Sequence, residues 1–355
     1  MLYYEYSFSV KHEFILSLHH KTKQFTSYQY HNFIGRHLIL KTKQLKKYLS
    51  MNIDKGDREV KPKIDMHLHM APLHSDKKEI AHLHLSVINR IYQTLNIETG
   101  VILPGKPGDD FFGELMTNEE AEILCKEQPG KFFWFCNFSL TDSEEDIQRL
   151  SAYRENGALG FGEFVENKRL DHPAIRRIFA ACQESRMSVL FHMSPECGNG
   201  YGIVDDPGLP LLEQALIDFP ELTFIGHSAC FWSEISDDGL VTPNARNGYP
   251  FGRVKEGRLA YLMRKYPNLT AELSAGSGAN AMLRDPEYAI QFLTEFSDQL
   301  FFGTDSGVCA LGPWLDMVYS QGLIAKDVYD KITRENAQRL ISAAQSGVSY
   351  TTLSE

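Results

Sequence analysis

The sequence predicts an α/β fold, a (β/α)8 TIM barrel with an N-terminal extension. Between Lys61 and Leu340 eight short runs rich in Val, Ile and Phe are almost continuously apolar, as strands buried on both faces are. A helical pattern follows each run, and eight such units over about 280 residues fit a barrel. An open doubly wound sheet is the alternative, weakened because no G-x-G-x-x-G follows the first run.

The runs are Ile64–His69, Gly100–Pro104, Phe132–Phe138, Leu159–Phe164, Ser188–Met193, Thr223–His227, Leu269–Leu273 and Leu300–Asp305. Thr117-Asn-Glu-Glu120 has the spacing of a capping box, and Gln128-Pro129-Gly130 ends its helix. Asp171 before Pro173 and Asp285 before Pro286 predict two more helix starts. Leu211, Leu212, Ala215, Leu216 and Phe219 share one helical face. Phe219-Pro-Glu-Leu-Thr223 and Tyr266-Pro-Asn-Leu-Thr270 repeat one helix-to-strand joint. The long connections 194–210 and 228–253 follow strands five and six, on the side where a barrel carries its active-site loops.

The 355 residues are 43% hydrophobic, 23% charged and 12% aromatic, which excludes disordered, collagen-like and disulfide-scaffold classes. A net charge of −10 argues against a nucleic-acid partner, and no apolar run is long enough to span a membrane. Six cysteines without C-x-x-C spacing, behind an N-terminus lacking a signal peptide's apolar region, predict a reduced, cytoplasmic protein. The first fifty residues stand apart, with eight Lys/Arg against two acids. Of the 36 basic and 46 acidic residues, 28 and 44 remain beyond them, so the body carries about −16 and the leader about +6. The expected organisation is an extension over 1–50, a barrel over 51–345 and a tail over 346–355. The leader reads as an arm for an anionic partner, as an extension the fold does not need, or as sequence upstream of a true start at Met51.

Chemistry gathers at the strand ends. Residues two apart in a strand share a face, so Asp65, His67 and His69 are expected on one side and Met66 and Leu68 on the other. Strand four ends in Glu163, strand five in His192, strand six in His227 and strand eight in Asp305. Neutral imidazole and carboxylate from several strands can surround zinc or a similar dication at a barrel mouth. Singly, each has a plainer reading. His67 or His69 could be a hydrogen-bonded core residue, His192 and His227 could anchor loops, and Asp305 could cap a turn.

The order His-x-His, Glu, His, His, Asp resembles the amidohydrolase superfamily. Ile64-Asp-Met-His-Leu-His69, Phe224-Ile-Gly-His-Ser228, Tyr266-Pro-Asn-Leu-Thr270 and Leu300-Phe-Phe-Gly-Thr-Asp305 resemble its amidohydrolase-related branch, which includes aminocarboxymuconate-semialdehyde decarboxylase-like proteins. By that resemblance His67, His69, His192 and Asp305 match metal ligands, and His227 matches the second-site or catalytic histidine. Glu163 matches the glutamate that helps hold a second ion in TatD-like members, while one-metal relatives lack that role.

The resemblance implies one or two divalent ions, zinc first, with manganese or iron as alternatives. An ion that lowers the pKa of its water, with Asp305 moving the proton and His227 stabilising an oxyanion, gives hydrolysis of an amide, ester, lactone or phosphoester. Decarboxylation of a small carboxylated substrate is the alternative, and a non-catalytic metal-binding barrel a third reading. The expected partner is a small-molecule substrate, for which an anion is one option, with a homo-oligomer as one option for assembly and with no nucleic acid and no membrane. Lys106, Asn137, Trp232, Arg246, Tyr249, Arg253 and Ser274 are candidates for specificity, Lys106 and Arg246 for an anion, though each of these two also suits a solvated surface role. Ser274-Ala-Gly-Ser-Gly-Ala-Asn280 reads as a phosphate-cradling loop or a tight turn. Cys197, Cys230 and Cys309 read as bystanders.

Overall fold

The computed structural model describes residues 60–73, 84–106, 115–198, 200–305 and 311–350. The expected extension over 1–50 and Cys309 lie outside them. Among the described residues there are nine strands, most of them separated by helices: β1 (Lys63–Leu68), β2 (Ile97–Ile102), β3 (Phe132–Trp134), β4 (Gly160–Phe164), β5 (Ser188–Ser194), β6 (Ile203–Val204), β7 (Phe224–His227), β8 (Leu269–Glu272) and β9 (Leu300–Phe301). Each of the eight predicted runs contains a strand, though only Phe132–Trp134 of the third and Leu300–Phe301 of the last are strand. The ninth, β6, is a two-residue addition inside the long connection after β5 and pairs with Met193 and Ser194.

Neighbouring strands pair in parallel, β1–β2–β3 in one run and β4–β5–β7–β8–β9 in the other. Parallel bridges Cys136–Phe161 and Leu68–Asp305 join the two runs at both seams, as a closed barrel requires. Strand two starts at Ile97 rather than Gly100, with Glu98 exposed between buried neighbours.

Ile64, Met66, Val101, Leu103, Phe135, Leu159, Leu190, Ile225 and Phe301 form one buried cluster drawn from around the barrel. Ala337, Leu340 and Ile341 of the helix Asn336–Ser346 and the ring of Tyr350 join this cluster. A second, larger cluster lies between the strands and the helices. Its aromatic chain Phe138–Phe161–Phe164–Phe179–Phe224 has ring centroids 5.0 to 6.3 Å apart, and each such pair adds about 0.5–1.5 kcal/mol beyond its burial.

The helix ends follow local chemistry. Thr117 caps Asn118–Glu127 through a complete capping box with Glu120. Asp285 accepts from the Tyr288 amide at the start of Pro286–Glu295. Before Pro173–Glu184 the cap is His172, which accepts from the Ala174 amide, so Asp171 does not have the expected role. Among the described residues no helix is long and apolar enough to cross a membrane.

Candidate metal centre

The apolar interior ends where strand periodicity brings polar side chains inward. On β5 Leu190 belongs to the interior, and His192 two residues later faces the mouth. Ile225 and His227 repeat this on β7. Strand β1 does not alternate as expected. Ile64 and Met66 both belong to the interior, while Asp65 points away and accepts from Tyr92 Oη at 2.9 Å. The pairing with β2 is irregular between Asp65 and Leu68. That slip turns His67 and His69 inward while Leu68 joins the outer cluster. Asp65 instead ties β1 to the segment carrying Asp305, accepting from the Thr304 amide at 2.9 Å and Thr304 Oγ1 at 2.6 Å. Burial pushes its carboxyl up to about 6, against those hydrogen bonds.

All six expected residues come together. His67 Nε2 and His69 Nε2 lie 3.0 Å apart, with Asp305 Oδ1 at 3.4 and 3.6 Å from them. Glu163 stands between two pairs of imidazoles. Its Oε2 is 3.1 Å from His69 Nε2 and 3.7 Å from His67 Nε2; its Oε1 is 2.6 Å from His192 Nδ1 and 3.7 Å from His227 Nε2. His69 is turned by Nδ1, which donates to the Leu103 carbonyl at 2.8 Å. The Asp305 side chain is 30% exposed while the other five are 12% exposed or less, so it is the member open to the mouth.

Sequence reasoning missed Glu272. Fully buried at the end of β8, it accepts from His67 Nδ1 at 3.1 Å and also meets His227 Nδ1. It was legible: Thr270, Glu272 and Ser274 are polar at every second position of an otherwise apolar run. Tyr201 was missed too; its ring lies 4.3 Å from that of His192. The next residue, Gly202, has φ +106, and a side chain there would come within 2.7 Å of the His192 carbonyl oxygen.

Glu163, Glu272 and the imidazoles of His69, His192 and His227 set one another's protonation. Burial favours the neutral acid at Glu163, but hydrogen bonds from His192 and His69 hold it well below the usual carboxylate range. Burial likewise opposes charge on Glu272, and the neighbouring His227 and His67 hold it low. Burial alone would lower His227, yet the adjacent Glu272 carboxylate raises it to about 9. At His69 the Glu163 hydrogen bond outweighs burial and raises the pKa, whereas at His192 burial wins and lowers it.

The donor set fits a divalent cation. Two Nε2 atoms 3.0 Å apart cannot both carry a proton directed at the other, so at least one presents its lone pair there. Ligands about 2.0–2.1 Å from a tetrahedral ion lie roughly 3.3 Å from each other, close to the separations seen. Two sets of donor atoms lie within 4.8 Å of one another, His67 with His69 and Asp305, and His67 with Glu163 and His227. Imidazole and carboxylate without thiolate suit zinc, manganese or iron.

Other candidates have other surroundings. Lys106 Nζ pairs with Glu166 Oε1 at 3.5 Å. Asn137 donates through Nδ2 to the Pro104 carbonyl at 3.2 Å, while its buried Oδ1 meets no donor. Trp232 is buried and donates to the Glu272 carbonyl at 3.2 Å, which fixes the strand end. Arg246 is buried, not solvated, and spans the Asp205 carbonyl and Glu234. Arg253 is exposed and paired with Glu287, Tyr249 is exposed, and Ser274 Oγ lies 3.3 Å from His227 Nδ1. The glycine-rich segment is neither loop nor tight turn but the helix Ala275–Leu283. Its Gly278 lets that helix press on Leu273, whose carbonyl a side chain would meet at 2.5 Å. Burial pushes the Cys230 thiol up to about 12, and Cys197 is exposed.

An amidohydrolase family model matches residues 64–342, which take in every one of these side chains. The chain belongs to the amidohydrolase family. That family is metal-dependent, and its members are mostly enzymes, hydrolases and decarboxylases among them. An uncharacterised TIM-barrel protein from Bordetella bronchiseptica shares 16% identity at a TM-score of 0.57, over 80% of this chain and 99% of that one. A 5-carboxyvanillate decarboxylase from Novosphingobium aromaticivorans, with bound manganese and 3-methoxy-4-hydroxy-5-nitrobenzoic acid, shares 13% at 0.52, over 82% and 100%. A proposed 2-pyrone-4,6-dicarboxylic acid hydrolase from Pseudomonas putida shares 13% at 0.50, over 80% and 98%. At these identities the likenesses concern the fold. None of the curated proteins compared with this amidohydrolase matches it.

Proposed function

We propose that this amidohydrolase is a metal-dependent hydrolase of a small molecule, cleaving an amide, ester, lactone or phosphoester. The observation that carries the reading is the convergence of His67, His69, Glu163, His192, His227 and Asp305 on one point, with only Asp305 open to the mouth. These residues would hold the ion, zinc first. A bound divalent cation supplies Lewis acidity and lowers the pKa of water to roughly 7. Asp305, the member open to the mouth, would take the proton of the attacking water and return it to the leaving group. His227, with Nδ1 against Glu272 and Nε2 toward the centre, donates to the developing oxyanion. Lys106 and the unsatisfied acceptor of Asn137 suit an anionic substrate bearing an N–H or O–H group.

Decarboxylation is the second reading. The same inward Nε2 of His227 could deliver a proton to carbon as readily as to oxygen. Metal analysis of the purified protein, with a screen of lactones, amides, phosphoesters and carboxylated aromatics, tests both. Product carrying 18O from labelled water supports hydrolysis; carbon dioxide released without 18O in the remaining product overturns it.

A protein starting at Met51 is expected to keep full turnover and the melting temperature of the whole chain. The family match begins at Ile64 and the strand count is complete from Lys63 onward. Thermal unfolding of the two proteins side by side checks this, and a large fall would make 1–50 part of the fold.

A further inference from the structure

Glu272 takes no part in the proposed reaction, yet its carboxylate is held from several sides. Its Oε1 accepts from His67 Nδ1 at 3.1 Å and from Ser274 Oγ at 2.9 Å, and it meets His227 Nδ1 as well. Its Oε2 accepts from the Ser274 amide at 2.8 Å, and Trp232 Nε1 holds its backbone carbonyl. On the far side the backbone of Gly303 lies so close that a side chain there would come within 2.7 Å of Oε2 and 3.1 Å of His67 Cβ. The carboxylate therefore packs closely against that glycine backbone.

An ionised carboxylate only accepts hydrogen bonds, so the two Nδ1 atoms it meets are both donors. In a neutral imidazole the second nitrogen is then left with its lone pair. For His67 that nitrogen lies 3.0 Å from His69 Nε2; at His227 the second nitrogen, the donor of the proposed reaction, lies 3.7 Å from Glu163 Oε1. We propose that Glu272 is a positioning residue that fixes His67 and His227 together, Nδ1 bound to its carboxylate and Nε2 turned to the centre. One side chain thereby sets both the affinity for the divalent cation and the aim of the proton-handling histidine. This rests on the reading of the centre as a cation site. A hydrogen-bonded partner behind a ligating imidazole typically changes metal affinity 10–100-fold when removed.

The replacement Glu272→Gln keeps the shape. Whichever way its amide is turned, an NH2 group faces either the Ser274 amide or the two Nδ1–H groups, so the arrangement cannot persist. Histidine 15N NMR of the native protein, zinc-free and zinc-loaded, is expected to show His67 and His227 protonated at Nδ1. In Glu272→Gln those signals should redistribute, and the dissociation constant for zinc, measured by chelator competition, should rise about 10–100-fold. A merely structural role would lower the melting temperature and leave the tautomers and zinc affinity in place. A folded variant with unchanged zinc affinity, or a native protein in which Nδ1 of His67 or His227 lacks its proton, overturns the proposal. If Glu272→Gln does not fold, the native tautomers decide alone. Failure of the native protein to take up zinc would sink the functional reading instead, with the zinc-free tautomers still testing Glu272.

Discussion

The double replacement of His67 and His69 by Ala is expected to remove the divalent cation and to lower turnover at least a thousandfold, a loss of about 4 kcal/mol or more in transition-state stabilisation. Both rings are buried at the mouth, above the apolar layer of Ile64, Met66, Leu190 and Ile225 rather than within it. The barrel itself should therefore fold. It should not be unperturbed, because the Leu103 carbonyl loses its donor and Glu163 and Glu272 each lose an imidazole. An unsatisfied buried group costs about 1–3 kcal/mol, which in a domain of this size is a shift of several degrees in Tm. Metal analysis after dialysis, circular dichroism and a melting curve on one preparation make the check. Stoichiometric metal retained by the double variant would exclude the pair as ligands.

The fold was legible because buried parallel strands leave a plain trace, short apolar runs whose ends change abruptly to His, Glu or Asp. What the sequence hid is where strand phase breaks. Strict alternation places Asp65 beside His67 and His69, but the slip between Asp65 and Leu68 sends Asp65 to Tyr92 and Thr304 and keeps Met66 in the interior. A bulge of this kind arises from pairing with β2, so β1 alone carries no sign of it. Glu272 is the opposite case. Its strand kept perfect alternation, but Leu273 after it made the run look apolar to its end. Arg246 shows a third limit. A basic residue in a long loop reads as exposed, and only tertiary packing brings the Asp205 carbonyl and Glu234 around it.

The replacement Glu163→Gln is expected to leave one divalent ion per chain where the parent binds two. Each oxygen of Glu163 faces a different pair, Oε2 toward His67 and His69 and Oε1 toward His192 and His227. A carboxylate so placed can serve two cations at once, the first held with Asp305 and the second with His192 and His227. Charge favours this arrangement once Glu272 is included. With all four imidazoles neutral, as ligation requires of them, one dication against Glu163, Glu272 and Asp305 leaves −1, whereas two leave +1, which a single hydroxide cancels in a centre too buried to tolerate much net charge. An amide of the same size removes the charge the second cation needs and turns an NH2 group toward one of the imidazoles. Equilibration with excess zinc followed by gel filtration and metal analysis separates the possibilities. One ion in both proteins would mean that Glu163 acts beside a single cation, hydrogen-bonded to His192 and His69, and the proton chemistry would then rest on Asp305 and His227 alone.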